Sequence, residues 1–169
     1  MVMCYLISGI LALLLLGADQ WLKAYVTAQV PLGQAQPLLP GVVELRTVHN
    51  YGAAWSSFSG MRWLLVAVTL GIVLAVLSLL LRRVVRHPLG VLACGLIVSG
   101  GIGNLADRIR LGYVVDMFHL QFVNYPVFNV ADCGIVIGAV LAVIYYLWFY
   151  EKYDKKERTH GNQTSASNG

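Results

Sequence analysis

Trp63-Leu64-Leu65-Val66-Ala67-Val68-Thr69-Leu70-Gly71-Ile72-Val73-Leu74-Ala75-Val76-Leu77-Ser78-Leu79-Leu80-Leu81 contains no charged side chain. As a helix rising about 1.5 Å per residue, such a run crosses a hydrocarbon core of about 30 Å. Leu89–Ala106 and Cys133–Tyr150 repeat the pattern, so three runs lack a charge for at least 18 positions. The first apolar block, Cys4–Ala18, is shorter. It lacks the basic leader and small-residue cleavage site of a signal peptide. Extended through Trp21, Leu22, Ala24, Tyr25 and Val26, it becomes a fourth span with Asp19 and Lys23 in its last turns.

Composition agrees with that reading. The chain is 58% hydrophobic and 12% charged, against about 45–50% and about 25% in soluble domains. The sequence therefore predicts an all-α membrane protein: four transmembrane helices (about 4–26, 61–81, 89–108 and 128–150) and a small extracytoplasmic β element. Residues 1–153 form a single integral membrane domain. Residues 154–169, ending in Gly, Asn, Gln, Ser and Thr, read as a disordered cytoplasmic tail. The net charge of +4 does not point to nucleic acid, because the cations flank apolar blocks instead of forming one stripe. Cys4, Cys94 and Cys133 sit in apolar segments without paired spacing. The histidines (49, 87, 119, 160) form no HExxH, so no metal or other cofactor is expected.

Four spans put both termini on one side. Arg82, Arg83, Arg86, Lys152, Lys155, Lys156 and Arg158 lie there, seven of the twelve Lys and Arg, which makes that side cytoplasmic. On the other side, the segment 29–60 carries Pro31, Pro37 and Pro40. It then enters Val42-Val43-Glu44-Leu45-Arg46-Thr47-Val48, a β-branched stretch that reads as a short strand. The second outer segment has an apolar-rich stretch, Val114–Val123, and a turn at Asn124-Tyr125-Pro126.

Polar residues of three spans meet at this outer face. Asp19 and Lys23 are four apart, Asn104, Asp107 and Arg108 share a helix face, and Asn129 and Asp132 are three apart. Asp19 lies about 21 Å along its helix from Tyr5, and Asp132 about 6 Å from Phe128. Both depths fall within the apolar layer, where an unpaired carboxylate is costly and such groups usually mark function. Two readings of Asp19 with Lys23 stand: a structural ion pair or part of a site. The same holds for Asp107 beside Arg108. Gly100, Gly101 and Gly103 permit close helix packing. Asp116 and Asp132 have no basic partner at helical spacing, which invites a carboxylate pair sharing one proton. Such a pair hydrolyses peptides by combining an ionised base with a protonated hydrogen-bond donor.

Five blocks carry a resemblance: Asp19-Gln20 with Lys23; Asn50-Tyr51-Gly52-Ala53-Ala54-Trp55-Ser56; Gly100-Gly101-Ile102-Gly103-Asn104-Leu105-Ala106-Asp107-Arg108; Val114-Val115-Asp116; and Phe128-Asn129-Val130-Ala131-Asp132. In this order on a four-span scaffold, they resemble the lipoprotein signal peptidase (signal peptidase II) family. Trp55 stands where that family often has Phe, and Met117 follows Asp116 where an aromatic is common. The resemblance implies an aspartic endopeptidase of the bacterial cytoplasmic (inner) membrane. It would remove signal peptides from prolipoproteins, cutting before a diacylglyceryl-modified cysteine. Asp116 and Asp132 match its catalytic dyad. Asp19, Lys23, Asn50, Gly52, Asn104, Arg108 and Asn129 match positions that shape the pocket and hold substrate. A monomer in contact with membrane lipids, with its site near the extracytoplasmic face, is expected. Two rivals remain at this stage. One is a serine peptidase using Ser56 or Ser57 with Lys23 as base. The other is a small proton-coupled transporter or channel subunit, which intramembrane acids also suit, although no internal repeat is visible.

Overall fold

The structure is a computed structural model that describes residues 2–53, 55 and 57–155. Four of its helices are long and apolar enough to cross a membrane: α1 (Val2–Gln29), α2 (Arg62–Leu81), α3 (Pro88–Arg110) and α4 (Val130–Tyr145). The last continues in wider π-type turns over Tyr146–Lys155. Leucines, isoleucines and valines cover the outer faces of α1, α2 and α4 and stay exposed in the isolated chain. Lipid is the solvent such faces require.

The third helix is the hub and packs against each of the other three. Its small residues make this possible. A Cβ on Gly100 would lie 2.4 Å from the Ala131 carbonyl oxygen, and one on Gly138 would lie 2.9 Å from that of Ala93. Only glycine lets the α3 and α4 backbones come this close. Where α3 begins, the ring of His87 accepts from Leu89 N–H (3.3 Å), and Pro88 occupies the first turn. The buried Asp154 carboxylate accepts from the backbone N–H groups of Arg86 and His87 and from the Tyr145 hydroxyl (2.5 Å). It fastens the α2–α3 connection to the end of α4. Of the tail expected over 154–169, Asp154 and Lys155 belong to this helical extension, and 156–169 lie outside the described residues.

At the opposite end stands a three-stranded antiparallel sheet in the order β1 (Ala35–Leu39), β2 (Val43–Asn50), β3 (Val114–Leu120). The β element is therefore larger than the single strand read from the sequence. Pro37 lies in the fully exposed edge strand, where a missing N–H is tolerated. The first four residues of β3 are all buried, so they show no polar–apolar alternation. Val48 faces Asp116 across the ladder and Asn50 faces Val114. Val26 of α1 and Val30 just past its end pack against Leu45 and Met117 of the sheet. Beside them, Thr47 donates its hydroxyl to the Val26 (3.3 Å) and Val30 (2.5 Å) carbonyls, partnering backbone groups where α1 ends.

Substituting Gly100 with Leu forces a side chain into the α3–α4 contact. The expected cost is about 1–3 kcal/mol, seen as a lower melting temperature in detergent. Gly71→Ala, whose Cβ meets nothing within 4 Å, should not lower it. Equal melting of Gly100→Leu and wild type would contradict the packing assignment.

Candidate active site

A buried ammonium holds the helices together beneath the sheet. Lys23 Nζ lies 2.8 Å from Asp19 Oδ2 and 2.9 Å from Asp107 Oδ2, and donates to Asn104 Oδ1 at 3.1 Å. The structural-pair reading of Asp19 and Lys23 is thus realised, but with a third member. Asp107 pairs with Lys23 instead of its neighbour Arg108, because the two side chains leave α3 in different directions. Each acid also receives a backbone N–H from another element: Ala131 donates to Asp19 Oδ1 (2.9 Å) and Val115 to Asp107 Oδ2 (3.2 Å). Gln20 reaches both acids and the Gly103 carbonyl through its amide nitrogen. It stands in the first of the five blocks, where the spacing of charged residues passes over it. Its signal was an uncharged amide one residue from a charged position in the last turns of a span.

Above this triad lie the two carboxylates without helical partners. Asp116 comes from β3 and Asp132 from the first turn of α4. Asn129 forms a reciprocal cap with Asp132: its Oδ1 accepts from Asp132 N–H (2.9 Å), and Asp132 Oδ2 accepts from Asn129 N–H (3.2 Å). The amide nitrogen of Asn129 then donates to Asp116 Oδ1 (2.6 Å) and Asn104 Oδ1 (3.2 Å). Asn104 donates to Asp132 Oδ1 (2.8 Å), and Asn50 to Asp116 Oδ2 (2.9 Å). Three asparagines therefore join the two acids in one network while adding no charge.

Arg108 Nη2 donates to the Gly52 carbonyl (2.9 Å), and Gly52 N–H donates to Asn50 Oδ1 (2.9 Å). The guanidinium thus fixes the loop that follows Asn50. All nine residues singled out from the sequence converge here: Asp19, Lys23, Asn50, Gly52, Asn104, Arg108, Asp116, Asn129 and Asp132. They divide into a buried brace and a lined opening. Asn50, Asn104, Arg108, Asp116 and Asp132 border a cavity of about 500 Å³. Thr69 from α2 and Ile135 and Val136 from α4 supply an apolar side, and Trp55, Tyr125 and Phe128 form an aromatic rim. Tyr125 meets both Trp55 and Phe128 edge to face. Trp55 and Phe128 stand in the quoted blocks and Tyr125 in the predicted turn, whereas Thr69, Ile135 and Val136 carried no sequence signal, because such residues within spans are the default.

Burial pushes the Asp116 carboxyl up to about 7, and the neighbouring charge of Asp132 adds to the effect. Hydrogen bonds from Asn50 and Asn129 and the charge of Lys23 oppose it. A carboxyl with such an affinity holds a proton near neutrality.

Known proteins resemble the chain in the same regions. A family model described as signal peptidase (SPase) II matches residues 11–148. The lipoprotein signal peptidase of Streptococcus agalactiae serotype Ia is 37% identical over 157 residues, covering 93% of this chain and 97% of that protein. That of Streptococcus pyogenes serotype M6 is 42% identical over 145 residues, covering 83% and 92%. Two solved structures of bacterial membrane enzymes superpose with TM-scores of 0.78 and 0.77, at 28% and 26% identity. The matches cover 83% and 84% of this chain and 87% and 93% of theirs.

Removing Asp19 from the triad leaves Lys23 with Asp107 as its carboxylate partner and the buried Ala131 N–H without its acceptor. Asp19→Ala is expected to destabilise the protein by about 1–3 kcal/mol, lowering the detergent melting temperature. An unchanged melt would mean that this brace does not hold the helices.

Proposed function

The chain belongs to the signal peptidase II family, and from that premise we propose that it is an aspartic endopeptidase of prolipoproteins with Asp116 and Asp132 as its catalytic pair. The observation that carries this reading is the convergence of both carboxylates on one cavity, linked through Asn104 and Asn129 and away from the buried ion triad. One ionised member takes a proton from water, and the protonated member donates to the oxygen of the attacked carbonyl. Asn50, Asn104 and Asn129 hold both groups, and Arg108 keeps the Asn50 loop in place.

The substrate is a diacylglyceryl-modified prolipoprotein, cut just before the modified cysteine. The cavity suits it, with a polar floor for the scissile peptide and an apolar side formed by α2 and α4, from which acyl chains reach lipid. The protein works as a monomer among membrane lipids in the bacterial inner membrane. Both termini lie in the cytoplasm and the cavity near the extracytoplasmic face. The basic clusters support that orientation. Arg82, Arg83, Arg86 and Lys152 belong to the connection and helix end that Asp154 joins, at the other end of the molecule from the sheet.

The rivals lose their footing. Lys23 is enclosed by Asp19, Asp107 and Asn104, so a serine would have to displace an acid to use it as a base. Ser57 is exposed in its loop, and Ser56 lies outside the described residues. Of the acids that prompted the transporter reading, Asp19 and Asp107 are accounted for by their salt bridges with Lys23.

Asp116→Asn and Asp132→Asn are each expected to reduce cleavage of a lipidated prolipoprotein by at least about 10²–10⁴-fold, with insertion unchanged. Near-normal turnover by either variant would sink the assignment. The raised proton affinity of Asp116 makes it the donor in this reading, and its proton is present below about pH 7 and lost above it. Activity should therefore fall as pH rises through that region and fall again in acid as the base is protonated, giving a bell-shaped profile. Asn50→Leu removes a hydrogen bond that favours ionised Asp116. Its alkaline limb should move to higher pH.

A further inference from the structure

The orientation of each amide in the site is dictated by a group that can only donate. Lys23 Nζ has no acceptor capacity, so the atom of Asn104 facing it at 3.1 Å is the oxygen. The Asn104 NH₂ is then compelled to face Asp132 Oδ1 (2.8 Å). Asp132 N–H fixes Asn129 in the same way, turning its NH₂ towards Asp116 (2.6 Å). Gly52 N–H fixes Asn50, whose NH₂ faces the other oxygen of Asp116 (2.9 Å). Each carboxylate thus receives a donor on both oxygens, and hydrogen-bond number alone does not decide which one carries the proton.

Charge breaks the tie. Asp132 sits in the first turn of α4, where the helix end favours an anion. It is also one amide away from the Lys23 ammonium. Asp116 lies on a strand with no helix end behind it, and its link to Lys23 runs through two amides, Asn129 and Asn104. Building on the dyad reading above, we propose that Lys23 is a positioning residue: through the Asn104 amide it holds the negative charge on Asp132 and leaves the shared proton on Asp116. The affinity of Asp116 for a proton up to about pH 7 agrees with this.

The charged and titratable groups facing Asp132 are Asp19 and Lys23 from α1, Arg108 from α3, Asp116 from β3 and Cys133 on its own helix. Asp107 from α3 adjoins through Lys23, and His49 of β2 borders the same cavity. Of the two cations, Arg108 is directed to the Gly52 and Asn104 carbonyls, while Lys23 alone faces the amide that touches Asp132.

The chemistry then has defined roles. Asp132 removes a proton from water as the water oxygen bonds to the carbonyl carbon. The Asp116 proton passes to the carbonyl oxygen, giving a gem-diol. On collapse, the proton held by Asp132 moves to the leaving nitrogen as the C–N bond breaks. One gem-diol hydroxyl returns its proton to Asp116, restoring the starting state.

The test is the pH dependence of kcat for Lys23→Met, Lys23→Arg and Asn104→Leu on a lipidated prolipoprotein, with Asp116→Asn and Asp132→Asn in parallel. Lys23→Met should lower kcat more than it changes KM and move the acid limb up by about 1–3 pH units. Lys23→Arg should return the limb towards wild type. Asn104→Leu keeps the ion triad and cuts the relay, so it should reproduce the Lys23→Met shift even if Lys23→Met fails to fold. An acid limb unmoved in Asn104→Leu, or in a folded Lys23→Met, overturns the role of Lys23 while inactive Asp variants leave the dyad standing. Active Asp variants would instead overturn the dyad.

Discussion

Everything at the sheet end of this protein depends on one buried cation. Lys23 is 3% exposed, and an ammonium at such a position survives only with compensation. Asp19 and Asp107 supply it, and each also accepts a backbone N–H from α4 or β3. The ion triad is therefore a joint between four elements. Two acids against one cation leave a net negative charge, and their backbone and Gln20 hydrogen bonds spread it. Apolar side chains of similar size would bury at lower cost. They would not fix the distance between the two carboxylate-bearing elements.

The layer above the joint is built almost wholly from neutral amides. This suits the proposed division of the two acids into a base and a proton donor. A second cation in direct contact would favour ionisation of both, and an apolar contact would favour neither. Asparagine presents a donor and an acceptor at a fixed separation, so it passes the polarity of a cap, a lysine or a turn on to a carboxylate. The cap on α4 is an example: Asn129 closes a helix end and positions Asp116 with the same side chain. Asp132 and Asn104 ride on packed helices and Asp116 on a buried strand, which keeps the geometry tighter than loops would. Asn50 adjoins a loop that Arg108 steadies from α3, and Asn129 ends another where it caps α4.

Close packing of α3 with α4 carries the same precision into the membrane. Gly100 and Gly138 let the backbones approach, so the first turn of α4 lies beside Asn104. In lipid, helix association gains little from apolar burial and relies on such fit. Helix α2 contributes a single buried residue, Val73, and borders the cavity through Thr69.

The four spans and the convergence of polar groups on one face were readable in the amino-acid order alone, and the resemblance to a family added Asn50 and Gly52 to the residues expected there. A bilayer demands long uncharged runs, and any ionisable residue within them stands out against that background. Spacings of three and four placed Asp19 with Lys23 and Asn129 with Asp132, because a helix brings those positions together whatever surrounds it. The tertiary structure decided what local spacing does not encode. Asp107 chose Lys23 over the adjacent Arg108, Gln20 joined the brace, and β1 and β3 completed a sheet of which only β2 was legible. The direction of each amide was also set there, because it depends on a donor from a distant part of the chain. The identity of a residue limits which partners it accepts, and only the folded chain brings one of them within about 3 Å.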